Sequence, residues 1–161
     1  MEEEGKMKSK KLSILFLCLT LASCMPTPPK PRQIQNSFQI EKPFDAVWQA
    51  VIEVFAELSL PIMNMEKASG LITTDWISFD SSKVYRYMDC GDQSALAFTQ
   101  KTRRGKFNVF VKKNDDINCE MKINSIFETA VFYSGGVQTF PCVSKGALEA
   151  EVYKRVTEKI K

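Results

Sequence analysis

The chain has 161 residues, of which 44% are hydrophobic and 25% are charged, and its formal net charge is +3. This length and composition are typical of one globular domain and exclude a chain that is disordered throughout. The 22 basic residues are scattered along the sequence without a dominant stripe, so the charge pattern does not indicate a nucleic-acid-binding surface.

The N-terminal residues have the layout of a secretory signal. Residues 8–11 (KSKK) supply positive charge, and the apolar segment 12–22 is shorter than the roughly 20 residues that a membrane-spanning helix needs. We therefore expect a signal peptide at residues 1–23. Leu21-Ala22-Ser23-Cys24 resembles a bacterial lipobox, which implies that Cys24 is lipidated and becomes the first residue of the mature chain. An ordinary cleavage site that precedes a cysteine is the alternative.

Prolines follow Cys24 at once. Residues 25–32 (MPTPPKPR) contain four prolines, a composition that favours an extended polyproline II chain. We expect residues 24–36 to form a tether between the lipidated cysteine and a folded domain at residues 37–161. Several acyl chains hold a protein firmly on a bilayer, whereas one chain binds only marginally. Met25 in place of an aspartate favours, by analogy with enteric bacteria, an outer-membrane lipoprotein that faces the periplasm.

The first half of the domain predicts a strand, a long helix and further strands. Residues 37–41 alternate between apolar and polar side chains, as in a short strand. Apolar residues then recur every three or four positions over 44–58, which predicts a helix of about four turns that starts near Pro43. Strand-like composition returns at residues 62–66, 71–79 and 84–89, with a glycine-containing turn at 67–70.

The second half predicts a hairpin and a closing helix. Strand-like residues 107–113 and 117–127 flank 114–116 (NDD), whose side chains suit a tight turn. Ser144 can cap a helix whose apolar positions are Leu148, Val152, Val156 and Ile160. This order of elements predicts an α+β fold: a curved antiparallel sheet of about five to seven strands, with an N-terminal and a C-terminal helix packed on one face.

Five cysteines are present. Cys18 leaves with the signal peptide and lipid occupies Cys24, so three thiols remain in an envelope compartment that permits disulfides. Cys119 falls on the apolar face of an alternating strand, where a cysteine acts as a small buried hydrophobe. Cys90 and Cys142 fall at the ends of predicted elements, and we predict a disulfide between them.

Four segments of the domain carry a family resemblance: FDAVWQAVIEVFAELSLPI at residues 44–62, ASGLITTDWI at 68–77, DCG at 89–91 and CVSKGALE at 142–149. Together with the lipobox, they make the chain similar to the BamC-like bacterial lipoproteins over roughly residues 38–161. The resemblance implies a single helix-grip domain. It also implies contacts with envelope proteins, in a role related to outer membrane protein assembly.

The sequence contains no histidine, which removes the commonest general base, every Ser-His-Asp or Cys-His arrangement and most transition-metal sites. Asp75, Asp80, Asp89 and Asp92 are the candidates for paired catalytic carboxylates of the kind that glycosidases use. All four lie at or near predicted strand ends and loops, where aspartate is common for turn formation alone. No Cys-x-x-Cys pair indicates a zinc site. We therefore expect a protein that is not an enzyme and that has no cofactor and no metal.

Two segments are candidate partner surfaces. Arg103-Arg104-Gly105-Lys106 is the densest basic cluster, and we place it in a loop. It can contact anionic headgroups or an acidic partner, and the alternative is a charged loop that is only solvated. Residues 132–140 (FYSGGVQTF) are the least regular stretch of the domain. If they project as a loop, Phe132, Tyr133 and Phe140 are exposed aromatic anchors, and if they fold back onto the sheet the same side chains are packed.

These observations predict a membrane-anchored, non-enzymatic protein-binding or assembly module, with a protein partner of the cell envelope in the groove beside the long helix. The alternative is a carrier or sensor of an apolar small ligand in a groove between helix and sheet. A cavity lined by Trp48, Phe55 and Val152 would favour the alternative, and a filled core around these residues would exclude it.

Overall fold

The computed structural model describes residues 27–92 and 100–161. The predicted signal peptide and Cys24 lie outside the described residues. Within the described ranges the chain forms eight strands and three helices, in an α+β arrangement. In chain order they are β1 (Ser37–Ile40), α1 (Phe44–Glu57), β2 (Ile62–Glu66), β3 (Leu71–Thr74), β4 (Ile77–Ser78), α2 (Ser81–Tyr87), β5 (Met88–Asp89), β6 (Gln100–Lys113), β7 (Cys119–Tyr133), β8 (Gly136–Ser144) and α3 (Ala147–Lys159).

One antiparallel sheet contains all eight described strands. Its order is β2-β3-β6-β7-β8-β5, while β1 pairs with β7 and β4 pairs with β6. The centre is the hairpin β6–β7, which confirms the predicted hairpin and extends it from Lys113 opposite Cys119 to Gln100 opposite Phe132. The expected count of about five to seven strands was too low, because β4 and β5 have two residues each, too few for an alternating pattern.

The core lies between the sheet and the helices α1 and α3. On β6, Phe107, Val109 and Val111 are buried while the residues between them are not, because successive side chains of a strand point to opposite faces. Phe55 of α1 meets the ring of Phe107 edge to face, with centroids 5.5 Å apart. The predicted apolar stripe of α3 is buried around Val152. Each such side chain contributes about 1.5–3 kcal/mol when fully buried.

The helix α2 occupies residues 84–87 of the segment that the sequence predicted as a strand at 84–89, and only Met88–Asp89 form a strand, β5. Asp80 explains the difference, since its Oδ1 accepts a hydrogen bond from Lys83 N at 3.0 Å and satisfies a free amide of the first turn. This local cap overrides the strand preference of the aromatic residues that follow. The helix buries Val84 and Tyr87.

The predicted strand at 71–79 is divided in two. β3 ends at Thr74, whose Oγ1 accepts a hydrogen bond from Phe107 N at 3.0 Å and so replaces a backbone partner. Asp75 N then donates to Pro61 O at 2.9 Å. The chain returns to β6 only at Ile77, as the two-residue strand β4.

Residues 27–36 lie against the domain. Thr27 and Asp92 form an antiparallel bridge with a hydrogen bond of 3.0 Å in each direction. Arg32 Nη2 lies 3.2 Å from Asp89 Oδ2, so this part of the predicted tether also contacts β5, at the end of the sheet order. The division into a tether and a domain stays a prediction. The contacts show that residues 27–36, the described part of the predicted tether, are docked on the domain.

Candidate functional site

An open cleft of about 550 Å³ lies where the end of α1 meets β4, α2 and α3. α1 ends in a Schellman motif, in which Ser59 has a φ of 52° and Leu60 N donates to Phe55 O at 2.9 Å. This tight ending places Leu58 and Leu60 in the lining of the cleft. The helix α2, fixed by its Asp80 cap, forms part of a wall.

The floor of the cleft is apolar. It is formed by Leu58, Leu60, Ile77, Phe79 and Leu148. Phe79 meets the rings of Tyr87 and Phe127 edge to face, with centroids 5.9 Å apart in both pairs, so the floor is backed by the core. Covering such a floor with apolar atoms gains about 25 cal/mol per Å².

The rim of the cleft carries three cations, Lys83, Arg86 and Arg155, and one carboxylate, Glu151. Arg86 Nη2 lies 3.0 Å from Glu151 Oε2, and Arg155 Nη2 lies 3.3 Å from Oε1. Tyr87 Oη donates to Glu151 Oε2 at 2.8 Å. Lys83 Nζ also lies 3.6 Å from Asp80 Oδ2. Three cations therefore face two carboxylates, and the remaining positive charge favours an acidic or anionic group.

The pKa shifts at the rim fix the protonation of Glu151 and Tyr87. Burial raises the pKa of Glu151, but the Tyr87 hydroxyl and the two guanidinium groups lower it by more, so the pKa lies below its usual value. Burial raises the pKa of Tyr87, and the hydrogen bond to Glu151 raises it again. Glu151 is therefore ionised and Tyr87 is protonated at neutral pH. Neither group is suited to exchange a proton there, which is typical of a structural network.

A second cleft, of about 620 Å³, lies against the outer surface of α3. Arg86, Glu151 and Arg155 line both clefts. The ion-pair network of Arg86, Glu151 and Arg155 therefore separates the two clefts. A partner that extends beyond the first cleft toward the second would contact this network.

The three residues predicted to line a ligand cavity lie in the core instead. Trp48, Phe55 and Val152 are 4%, 0% and 0% exposed. Trp48 stacks on Phe44 with centroids 5.8 Å apart. None of the three lines the cleft at the end of α1, so an apolar ligand in that cleft would not contact the predicted residues.

The basic cluster Arg103-Arg104-Gly105-Lys106 lies within β6, so its placement in a loop was wrong. Arg104 faces Glu128 of β7, and its Nε donates to Glu128 Oε1 at 2.7 Å. The Arg104 guanidinium also lies 4.7 Å from the centroid of the Trp76 ring. Arg103 is partly buried, and its Nε has no hydrogen-bond partner in the part of the chain that the structure describes. Partners within the chain thus hold Arg104, and β-pairing overrides the loop-like composition.

Residues 132–140 form the end of β7, a tight turn and the first part of β8. Phe132 and Tyr133 are 41% and 50% exposed, whereas Phe140 is partly buried. Val137, which the sequence analysis did not single out, is 56% exposed and lies opposite Phe132. The segment is therefore a hairpin end rather than a loop, and two of its three predicted aromatic anchors are exposed.

The predicted disulfide between Cys90 and Cys142 is confirmed. It lies next to the backbone pair of Asp89 and Val143, which joins β5 to β8. Cys119 is a buried free thiol, as predicted. Burial raises the pKa of the Cys119 thiol, and a nearby carboxylate raises it further, so this cysteine is chemically unreactive.

The four aspartates considered for catalysis have structural partners. Asp75 accepts a hydrogen bond from the next amide, Asp80 caps α2, and the Asp89 carboxylate contacts Arg32. Asp92 is bound to Thr27 through its backbone. Among the described residues, no group of three or more histidine, cysteine, aspartate or glutamate side chains is placed to hold a metal ion. Within residues 27–92 and 100–161, no helix has the length and apolar character needed to cross a membrane.

No family model matches the chain, and no curated protein matches it. The functional interpretation therefore depends on the lipobox-like sequence, the cleft at the end of α1 and the exposed end of the β7–β8 hairpin.

Proposed function

We propose that this protein is a lipoprotein of the bacterial cell envelope, anchored by lipid at Cys24, whose domain binds another protein. The proposal places it at the outer membrane, facing the periplasm, and assigns its domain to the BamC-like helix-grip domains. Its role is non-enzymatic, because the domain contributes a contact surface to an assembly related to outer membrane protein assembly.

The observation that carries this proposal is the cleft at the end of α1, with its apolar floor and positive rim. Its volume of about 550 Å³ is within the range of binding pockets. A protein segment that presents an apolar side chain next to an acidic one complements both parts of the cleft. Lys83 of α2 and Arg155 of α3 belong to different walls, so an acidic side chain between these walls would have a cation on either side.

The positions of the family-like segments support the helix-grip assignment. α1 packs on the antiparallel sheet, and α3 contributes to the same core. In the SGLI segment, Gly70 has a φ of 71°, a conformation that favours glycine. The DCG segment and the CVSKGALE segment are joined by the Cys90–Cys142 disulfide. The backbone conformation thus requires glycine at position 70, and the disulfide requires the two cysteines.

Site-specific photocrosslinking in intact cells tests the protein-binding role. A photoreactive amino acid replaces Ser82, an exposed residue at the cleft, and the matched control carries it at Ile117, which is 66% exposed. We expect a discrete crosslinked protein from position 82 and none from position 117. Recovery of β-barrel assembly subunits would support the assembly role. Equal yields from both positions would contradict binding in the cleft.

Reversal of one rim charge tests the chemistry of the cleft. Lys83→Glu lowers the positive charge of the rim, so we expect the crosslink from position 82 to decrease several-fold. The control is Lys112→Glu on an exposed position of β6, which should leave the yield unchanged. An equal loss in both variants would show that the partner responds to overall charge and not to this cleft.

The filled core around Trp48, Phe55 and Val152 excludes a ligand at the site that the sequence predicted. Carriage of an apolar small ligand in the cleft at the end of α1 is the second candidate, because its apolar floor also suits an acyl chain. Native mass spectrometry of the protein purified gently from membranes separates the two functions. A bound molecule of constant mass that is lost in Leu60→Trp, and kept in the control Ile62→Trp on the edge strand β2, would favour carriage. A crosslinked protein without such a molecule would favour protein binding.

A further inference from the structure

The end of the β7–β8 hairpin exposes three apolar side chains. Phe132, Tyr133 and Val137 are 41%, 50% and 56% exposed, and together they form the hairpin tip. Tyr133 pairs with Gly136 across the turn, and Phe132 lies opposite Val137. Phe132 and Val137 therefore share one face of the hairpin, and Tyr133 takes the other. Large apolar side chains grouped at an exposed end indicate a contact surface.

The N-terminal chain is fixed beside β8, the strand that starts at the hairpin tip. Asp89 pairs with Val143 of β8, and the next residue, Cys90, is bonded to Cys142. Thr27 is bridged to Asp92, two residues beyond Cys90, by two hydrogen bonds of 3.0 Å. Cys142 is six residues from Gly136, the first residue of β8, a distance of about 20 Å along a strand.

The chain also runs in the direction of the hairpin tip. Arg32 contacts Asp89, which lies opposite Val143, whereas Thr27 lies beside Gly91, the residue after Cys90, and Cys90 is bonded to Cys142. The path from Arg32 to Thr27 therefore leads from the level of Val143 toward that of Cys142, in the direction of the hairpin tip. Cys24 precedes Thr27 by three residues, and three residues span at most about 10 Å. The headgroup region on each side of a bilayer is roughly 5–8 Å thick. A lipid on Cys24 therefore keeps this end of the sheet close to the membrane surface.

We propose that the hairpin tip inserts into the headgroup region of the membrane that holds Cys24, so that the domain contacts the bilayer at two points. This inference rests on the lipidation of Cys24 in the proposed function. Tyrosine favours the headgroup region because its ring is apolar and its hydroxyl is polar. The sequence has no acidic residue between Glu128 and Glu149, so insertion dehydrates no carboxylate of the hairpin and meets no repulsion by anionic lipids.

The opposite end of the sheet has a different chemistry. The β6–β7 turn carries Asp115 and Asp116, and Lys113 forms an ion pair with Asp116 at 2.7 Å. Ile117 in this turn is 66% exposed. It is therefore an exposed apolar residue among charges at the far end of β6 and β7, and it serves as the matched control position.

Depth-dependent quenching in vesicles tests the proposal. Val137→Cys and Ile117→Cys are prepared separately in the lipidated mature chain and labelled with nitrobenzoxadiazole, since Cys119 is buried and Cys90 is bonded to Cys142. The vesicles contain phosphatidylethanolamine, phosphatidylglycerol and a nitroxide-labelled lipid. We expect quenching of the label at 137 to exceed that at 117 by about fivefold or more, because only headgroup insertion brings a label near the nitroxide. Equal and weak quenching at both positions would overturn the proposal.

A second measurement separates the hairpin tip from the lipid anchor. The mature chain with Cys24→Ser, secreted behind an ordinary cleavable signal, is titrated with the same vesicles without nitroxide. We expect weak binding that the added changes Phe132→Ser and Val137→Ser reduce about tenfold, since burial of each methylene contributes to membrane affinity. The added change Ile117→Ser should leave binding unchanged.

If native Cys24 proves to carry no lipid, the proposed anchor fails, and this titration still decides whether the hairpin tip binds membranes. Equal binding by all three chains would overturn the proposal.

Discussion

At the residue scale, the Cys90–Cys142 disulfide is the covalent feature that the sequence predicted. The two cysteines are 52 residues apart, so the bond removes a large part of the freedom of the unfolded chain. A loop of this length corresponds to about 4 kcal/mol in the chain-entropy model. A domain of this size has a total stability of about 5–15 kcal/mol, so this bond is a substantial part of it.

We predict that the double variant Cys90→Ser/Cys142→Ser has a free energy of unfolding about 4 kcal/mol lower than the wild type. Urea denaturation monitored by tryptophan fluorescence measures the difference. The wild type should lose a similar amount on addition of a reductant, while the double variant should not respond to it. A wild type that is insensitive to reductant would show that the bond does not constrain the unfolded chain.

Glu149 shows where residue-level prediction stopped. Its side chain is fully buried, and Ser144 Oγ donates to its Oε1 at 2.8 Å. The sequence indicated that Ser144 caps α3, but Gly146 holds the N-cap position with a φ of 80°, and Ser144 Oγ accepts a hydrogen bond from Gly146 N. A glutamate in the first turn of a helix is ordinary on the surface, so the pattern gave no signal of its burial.

At the element scale, the hairpin β2–β3 depends on one glycine. Gly70 has a φ of 71°, and its carbonyl accepts a hydrogen bond from Val111 N at 2.8 Å, which fastens the turn to β6. A Cβ atom at this position would lie 2.0 Å from Val111 O. The close approach and the left-handed backbone therefore both require glycine.

We predict that Gly70→Ala lowers the free energy of unfolding by about 1–3 kcal/mol or more, because the methyl group forces the turn away from β6. Ser69→Ala is the neighbouring control. It removes only an exposed hydrogen bond from Ser69 Oγ to Glu66 O at 3.2 Å and should change the free energy of unfolding by less than about 1 kcal/mol. Thermal unfolding followed by circular dichroism provides the comparison. Equal melting temperatures for Gly70→Ala and the wild type would contradict this account of the turn.

Glu151 joins α3 to α2 and gives their packing a dependence on pH. Burial raises its pKa, but Tyr87, Arg86 and Arg155 lower it by more, and the pKa in the folded state lies below the ordinary 4.5. A carboxyl whose pKa is lowered by folding stabilises the protein above its unfolded pKa, and that contribution is lost as the pH falls through the folded value. We therefore predict that stability decreases as the pH falls below about 4.5.

The variant Glu151→Gln tests this prediction, because it removes the titrating group and should flatten the dependence of stability on acidic pH. Glu158→Gln is the control, since Glu158 forms only an exposed contact with Lys154 at 3.8 Å. Urea midpoints measured between neutral and acidic pH report the slopes. Parallel slopes for Glu151→Gln and the wild type would show that other groups cause the loss.

The sequence predicted the elements that have long regular patterns. α1 and α3 have apolar positions every three or four residues, and the hairpin β6–β7 alternates around a polar turn. α2 has only seven residues and two buried side chains, so its pattern is too short to be distinguished from a strand. The cleft was not predicted in detail, because Leu58, Phe79 and Leu148 come from distant parts of the chain and meet only through tertiary packing.

At the scale of the whole molecule, the contacts of residues 27–36 fix the N-terminal segment on the domain. Asp89 Oδ2 contacts Arg32 Nη2 at 3.2 Å, while its Oδ1 accepts a hydrogen bond from Gly91 N at 3.0 Å. Trypsin can cleave the peptide bond between Arg32 and Gln33 once this segment leaves the domain. Proteolysis at this bond therefore reports on docking.

We predict that Asp89→Asn accelerates trypsin cleavage after Arg32 several-fold, because asparagine can still accept the Gly91 bond but does not attract the guanidinium. Asp116→Asn, in the β6–β7 turn, is the control with the same change of charge. Mass spectrometry of the fragments over time gives the rates. Cleavage as rapid in the wild type as in Asp89→Asn would indicate that the segment is released from the domain in solution.

The disulfide also determines the route by which mechanical tension crosses this protein. When the chain is pulled between Thr27 and Lys161, the force passes along the backbone to Cys90, across the sulfur bridge to Cys142 and on through α3. The long central strands β6 and β7 lie outside this route, and 52 residues, or about 180 Å of extended chain, cannot be drawn out. As long as the sulfur bridge is intact, a load applied at Thr27 and Lys161 therefore cannot extend the segment that contains β6 and β7.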